Sequence, residues 1–435
     1  MDINKKLIKF LSEATSPFHA VQVMSKRFEA AGFELLLESE TWSLKRGGRY
    51  YFSRNGSSII AFIYGKKHGP EFGMRMAGAH TDSPCLKVKP QPEIQSSGYD
   101  QLGVEVYGGV LLNPWYDRDL SLSGRVCYRD KNGPLRHALI DFRRTIGVIP
   151  SLAIHLDREA NSKRSINAQT DILPIISMSG SNGKIDFRSI LLKQLTKEHP
   201  DCKVEQVLDY ELGFYDVQPP ALTGLNNEFI SSARLDNLLS CFVGMEAIID
   251  SGNECSSLLV CNDHEEIGSQ SAIGAQGPML KSLLERLAET TQARLQLTER
   301  SLLISMDNAH GRHPNYLDKH DSNHGPLLNG GPVIKVNANQ HYATSSETSS
   351  LFKVLCESKS VPVQSYVVRN DMRCGSTIGP ITASVLGVKT ADVGAPTFAM
   401  HSIREIVGAD DPTYLYEAMK AFFCWPDSLC ALDYV

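Results

Sequence analysis

Apolar residues recur along this chain in two periods, and the two periods fall in different regions. Between positions 17 and 31, Val21, Met24 and Phe28 return every three to four residues and share one helical face. Ser16 is placed to cap that helix, Pro17 suits its first turn, and Gly32 ends it. Continuous apolar runs follow at Ser58–Tyr64 and Phe72–Ala79, and their length predicts buried strands. Around Lys89 the period shortens to two, as in Val104-Glu105-Val106-Tyr107 and Arg125-Val126-Cys127-Tyr128. Turn signals separate these stretches at Ser97-Gly98, Gly108-Gly109 and Asn132-Gly133, the last a strong hairpin signal.

From Phe229 the first texture returns. A long apolar helix spans Asp236–Ile249 and stops at Ser251-Gly252. Ser256–Cys261 and Ser301–Met306 read as buried strands, with a helix near Leu280–Leu287 between them. Ile381–Leu386 and Thr413–Phe423 read as later helices. Strands and helices mixed in this way predict an α/β fold: a central mixed β-sheet flanked by helices. Its first part is expected over residues 1–88 and its second over 229–435. A mostly β insert with some helix occupies 89–228.

Composition narrows the picture a little. The 435 residues allow two or three domains. The chain is 42% hydrophobic and 21% charged, enough for a real core. A net charge of -5 without charge blocks gives no support to a nucleic-acid partner. The N-terminal residues lack an apolar run followed by a small-residue cleavage site, and no apolar run reaches the length of a membrane helix. The 10 cysteines include no C-x-x-C pair, which predicts buried thiols in a reducing cytoplasm and excludes a four-cysteine zinc site. Any metal must then be held by histidine and carboxylate.

Four segments place such residues where an apolar strand ends: GAHTDSP (His80, Asp82), CNDHEEIGS (Asp263, His264, Glu265, Glu266), ISMDNAHGRHPNY (Asp307, His310, His313) and APTFAMHS (His401). A fifth, SARLDN, puts Asp236 at the opening of a helix. Taken singly, each has a bland reading: a solvated turn, an acidic loop, a helix cap, a core histidine. Their recurrence is the signal, because ligand sites in open α/β sheets gather beyond the carboxyl ends of the strands. Hydrolysis of a peptide bond needs an activated water, a polarised carbonyl and a proton shuttle. Two divalent cations held by histidines and carboxylates meet the first two needs, and a carboxylate outside the ligand set meets the third. The adjacent Glu265 and Glu266 suit that division, one on metal and one on water. Asp82 is a candidate support for its neighbours.

At these residues the sequence resembles the aspartyl aminopeptidase family of co-catalytic zinc peptidases, over essentially its whole length. The resemblance runs through GAHTDSPCLKVKP, YGGVLLNPWYDRDLSLSGRV, SARLDN, NDHEEIGS, DNAHGRHPNY, KVNANQHYAT, CGSTIGPITAS and VGAPTFAMHSIRE. It implies two Zn2+ per chain, with Mn2+ or Co2+ able to substitute, bridged by Asp236. His80 and Asp307 would complete one site, and Glu266 and His401 the other. Glu265 would be the general base, supported by Asp82. It further implies that the insert mediates dimerisation within a tetrahedral dodecamer and that substrates are peptides with acidic N-terminal residues. Lys335 would face the acidic side chain, with His310 and Tyr342 completing the pocket and His155 reaching a neighbouring subunit's site. Arg373 is another candidate cation, and Gly375-Ser376-Thr377 can offer backbone N–H groups to an anion.

Two other functions share these residues: a two-metal deacylase or carboxypeptidase, and a non-enzymatic metal-binding assembly. The sequence contains no G-x-S-x-G elbow, Walker A loop or G-x-G-x-x-G, which removes several other enzyme classes.

Overall fold

The computed structural model describes residues 2–180 and 185–426. The chain divides into two compact units. The first takes residues up to Asp82, Ala221–Met400 and the chain from Glu405; the second takes Ser83–Pro220 and His401–Arg404. The limits expected from texture were 89 and 228. The second unit starts earlier because the strand Cys85–Ser96 already belongs to its sheet. It ends earlier because Ala221–Thr223 pairs with Phe229–Ser232 in the first unit.

The helices are α1 (Ile3–Glu13), α2 (Pro17–Ala30), α3 (Phe187–Glu198), α4 (Leu235–Ile249), α5 (Met279–Leu287), α6 (Thr291–Glu299), α7 (Ser346–Glu357), α8 (Ile378–Leu386) and α9 (Asp411–Phe423). Ser16 caps α2 by accepting the His19 N–H, and Gly32 follows the helix at φ +80°. α1, α6 and α7 were not read from the sequence, and α3 was expected only as some helix within the insert. α1 starts at Asp2, whose carboxylate accepts the N–H groups of Asn4 and Lys5, and it buries Leu7, Phe10 and Leu11.

A nine-stranded mixed sheet forms the first unit's frame. Its order is Glu34–Leu35, Gly48–Arg54, Ser58–Tyr64, Ser257–Asn262, Arg75–His80, Leu302–Met306, Lys389–Gly394, Val333–Lys335, Gln364–Tyr366. The four strands from Ser257–Asn262 to Lys389–Gly394 run parallel to one another, and their outer neighbours Ser58–Tyr64 and Val333–Lys335 run antiparallel to them. The expected α/β class holds. Alternation along the strands divides the core in two. Ala77, Ala79, Leu259, Cys261, Ile304 and Met306 pack with α1, α2, α4, α7 and α9, while Met76, Leu258, Val260 and Leu303 pack with α5. The strand expected from Phe72 starts at Arg75 instead. Gly73 turns the chain at φ +65°, where a Cβ would lie 1.9 Å from the Arg300 carbonyl oxygen.

The second unit holds a six-stranded antiparallel sheet with α3 packed on it through Phe187, Leu191 and Leu195. Its hairpins sit where the turn signals were. Ser97 (φ +52°) and Gly98 (φ +86°) join Ser96 to Tyr99, both in the left-handed region that a type I′ turn needs. Leu120–Asp130 returns as Leu135–Asp141 through Asn132-Gly133.

The apolar α4 is central to the first unit's core, and Phe242 on it is 2% exposed with its ring 5.7 Å from that of Phe10. Phe242→Ala is expected to cost about 3–5 kcal/mol, read as a lower urea midpoint at unchanged slope.

Candidate metal centre

Three parallel strands of the first unit end side by side. Asn262 lies in register with His80, and Ser305 with Gly78. The residues that follow each strand therefore meet at one rim. His80 ends its own strand, Glu265 and Glu266 follow Asn262 in a short turn, and Asp307 follows Met306. Asp236 arrives from the start of α4. Its φ/ψ and those of Asn237 are not helical, and the peptide between them is cis. The Asp236 N–H donates to Glu405 at 3.0 Å, and the Asn237 amide donates to the Met306 carbonyl at 2.7 Å, which ties the helix start to the strand end.

The cluster is buried, with His80 1% and Asp236 3% exposed. His80 Nδ1 is 3.0 Å from the Asp82 carbonyl oxygen, so that nitrogen donates to the backbone. This leaves Nε2 facing Asp236 Oδ1 at 3.7 Å, Glu265 Oε2 at 3.8 Å and Asp307 Oδ1 at 3.9 Å. One potential ligand atom from each of His80, Asp236 and Asp307 lies within 4.8 Å of the others, and the same holds for His80, Glu265 and Glu266. Asp82 is completely buried and holds the turn in place: Oδ1 accepts the Glu265 N–H at 3.2 Å and Oδ2 the Glu266 N–H at 3.1 Å.

Electrostatics in the cluster follow from burial and crowding. Burial lifts the Glu265 carboxyl to about 8, against the pull of His80 and with a further push from Asp307, Asp82 and Asp236. Glu266 is raised well above the usual carboxylate range, by burial first and then by Asp236. Burial opposes the charge on His80, but the carboxylates of Asp307 and Asp82 outweigh it and raise its pKa. Burial also opposes charge on Asp307, yet Lys335 and His80 hold it well below the usual range. The donors are imidazole nitrogen and carboxylate oxygen with an excess of negative charge, a set that fits divalent zinc.

Lys335 is 2% exposed at the end of its strand. Its ammonium lies 3.5 Å from Asp307 Oδ2, donates to the Asn308 carbonyl at 3.3 Å, and sits 5.2 Å from the centre of the Tyr342 ring. The Tyr342 ring is followed by that of Tyr366 at 6.4 Å, against which exposed His310 packs edge-on at 5.8 Å. Thus Lys335, Tyr342 and His310 lie on one contact chain running out from Asp307. His401 and His155 belong to the second unit. There His401 Nδ1 is 3.1 Å from the Gly109 carbonyl oxygen, and His155 lies in an exposed turn.

Asp392 escaped the sequence reading, although a carboxylate inside the apolar run Thr390–Val393 was a usable signal. It is fully buried, accepts the Thr377 hydroxyl and the Ala343 N–H, each at 2.6 Å, and donates its own N–H to the Thr344 hydroxyl. A Cβ on Gly379 would come within 2.3 Å of its Oδ1, so glycine is required there. Burial raises its pKa while Lys335 pulls it back. The carboxylate thereby joins the loop after Tyr342 to the start of α8.

A buried histidine–carboxylate rim at the carboxyl ends of parallel strands defines a metal-dependent hydrolase of the α/β class. The family model described as "Aminopeptidase I zinc metalloprotease (M18)" matches residues 10–423, and the chain belongs to that family. It is thus a zinc metalloaminopeptidase. The probable M18 family aminopeptidase 2 of Ectopseudomonas mendocina is 58% identical over 421 residues, covering 97% of this chain and 98% of the relative. That of Pseudomonas syringae pv. syringae is 56% identical over 422 residues, with 97% and 98% covered. Among solved structures, the chain is similar to Ape4 in its complex with Nbr1 (37% identity, TM-score 0.93, 97% of this chain and 85% of that one). It is also similar to yeast aminopeptidase 1 (29%, TM-score 0.84, 97% and 96%).

Removing the Asp82 carboxylate frees the turn that carries both glutamates. Asp82→Ala is expected to lower zinc affinity or turnover about 10–100-fold, measured by chelator competition and initial rates. An unchanged zinc affinity together with unchanged rates would remove Asp82 from this role.

Proposed function

We propose that this enzyme releases acidic residues, Asp and then Glu, from the N-termini of peptides, using two divalent metals and a glutamate base. The observation that carries the reading is the meeting of His80, Asp236, Asp307, Glu265 and Glu266 in one buried cluster with an ammonium, that of Lys335, held beside it. His80 and Asp307 would hold one ion, Glu266 and His401 the other, and Asp236 both. His401 enters on the family resemblance. Bound zinc, or manganese or cobalt in its stead, supplies Lewis acidity for the scissile carbonyl and the attacking water.

The remaining tasks fall to the chain's own side chains. Glu265 takes a proton from the attacking water and returns it to the leaving amine. Burial already raises its affinity for that proton. Asp82 keeps Glu265 and Glu266 in their turn through two backbone N–H groups. Lys335 answers the acidic side chain of the first residue, with Tyr342 and His310 along the same wall. His155 would enter the site of a neighbouring subunit. The inserted unit would mediate dimerisation on the way to a dodecamer, the assembly named for the solved mApe1 of yeast. The cytoplasm is the expected compartment.

Release from Asp-, Glu-, Leu- and Lys-nitroanilides is the direct test. A tenfold preference for Leu would sink the acidic specificity, and turnover of an N-acylated substrate would favour a deacylase. Glu265→Gln is expected to lose about 10²–10⁴-fold in kcat while keeping its metals and assembly. Lys335→Leu should lower kcat/KM on Asp substrates by about 2–4 kcal/mol in transition-state terms. Equal losses on Leu substrates would instead assign the lysine wholly to Asp307.

A further inference from the structure

A cavity of about 420 Å³ lies in the first unit between the segments 337–341 and 367–374. Its lining includes Asn337, Asn339, His341, Arg369, Arg373 and Cys374, and no Asp or Glu. That is notable in a chain where 49 Asp and Glu outnumber 44 Lys and Arg. The two arginines differ. Arg369 is held by both oxygens of Asp371, at 2.9 and 2.7 Å, and donates to the Asp318 carbonyl at 2.8 Å, so its charge is answered within the fold. Arg373 is exposed and makes neither an ion pair nor a hydrogen bond among the described residues.

The wall is ordered before any ligand arrives. Asn337 Oδ1 accepts the N–H groups of Asn339 at 2.9 Å and His341 at 3.4 Å, which fixes the 337–341 turn. Cys374 packs against the layer of Tyr342 and Tyr366. The Tyr342 ring lies 5.2 Å from the Lys335 ammonium, itself 3.5 Å from Asp307. One aromatic layer thus separates the cavity from the metal cluster. A guanidinium with its donors uncommitted, beside amides and a histidine and with the nearby Asp371 carboxylate already engaged by Arg369, recognises a carboxylate.

We propose that this cavity is a second anion subsite, which binds a carboxylate carried on a peptide residue beyond the first or on a small free dicarboxylate. The proposal rests on the neighbouring cluster being the peptide-hydrolysing centre. It makes Arg373 a specificity residue for the rest of the substrate, separate from the cation that reads the first residue.

The test compares kcat/KM for three amidated tetrapeptides, Asp-Ala-Ala-Ala, Asp-Glu-Ala-Ala and Asp-Ala-Glu-Ala, in the zinc-loaded wild type, Arg373→Ala and Arg373→Glu. Asp-nitroanilide turnover is also titrated with glutarate. A peptide-borne carboxylate predicts that one glutamate-bearing peptide exceeds the neutral one by about fivefold or more in the wild type. The ratio should fall to near one in Arg373→Ala and invert in Arg373→Glu. A free dicarboxylate predicts instead that millimolar glutarate shifts the KM of the wild type and not of Arg373→Ala. Ratios identical in all three proteins, with no glutarate response, overturn the proposal. The Asp-over-Leu nitroanilide preference of the same samples reports separately on the first-residue pocket. Its loss would defeat acidic N-terminal specificity while leaving the peptide ratios a valid reading of the cavity.

Discussion

The register between three parallel strands is the constraint on which this molecule's chemistry depends. Asn262 sits beside His80 and Ser305 beside Gly78, so the strands that lead to Glu265, His80 and Asp307 finish at one level. A slip of one residue in the central strand would send the His80 side chain to the opposite face of the sheet. The alternating packing of Ala77 and Ala79 on one side and Met76 on the other resists that slip, because it would reverse the fit of both helical layers. Packing far from the rim thus fixes a geometry at the rim.

What the register brings together, electrostatics would push apart. Asp82, Asp236, Glu265, Glu266 and Asp307 crowd around a single imidazole in a place shielded from water. Isolated buried carboxylates are expensive, and two of these have a specific answer. Asp82 takes two backbone N–H groups, and Asp307 has Lys335. The raised pKa of Glu265 and Glu266 comes first from burial and then from the neighbouring carboxylates. Such a rim departs from what stability alone would select, and sites of this kind are where a sequence serves chemistry over packing.

That departure is also why the site was legible before the fold. A polar metal-type residue at the end of an apolar strand stands out against its own run, as at His80 and Asp307, and the runs themselves gave the α/β class. α1 was passed over although Ile3, Leu7, Phe10 and Leu11 return at helical spacing, whereas α7 was harder because its first turn is polar and its start is set by capping at Ser345. The insert's limits differ from the expected ones by several residues, because Leu86 and Val88 already alternate on the insert's own sheet ahead of the change of texture near Lys89. Asp392 was passed over for a different reason. Its importance comes from Thr377, Ala343 and Gly379, residues brought to it only by the fold.

Lys335 joins these themes in one side chain. Its ammonium faces Asp307 on one side and the Tyr342 ring on the other, and Asp392 adds a further negative charge nearby. A cation buried at 2% exposure cannot swing out to meet a ligand, so an acidic side chain would have to come to it and share it with Asp307. On that reading the pull of Lys335 on Asp307 weakens when an acidic residue arrives, and Asp307 becomes a stronger donor toward a bound cation. The first residue of the substrate and the metal centre would then be coupled through a single ammonium. A neutral side chain in the same place would leave Asp307 as it was.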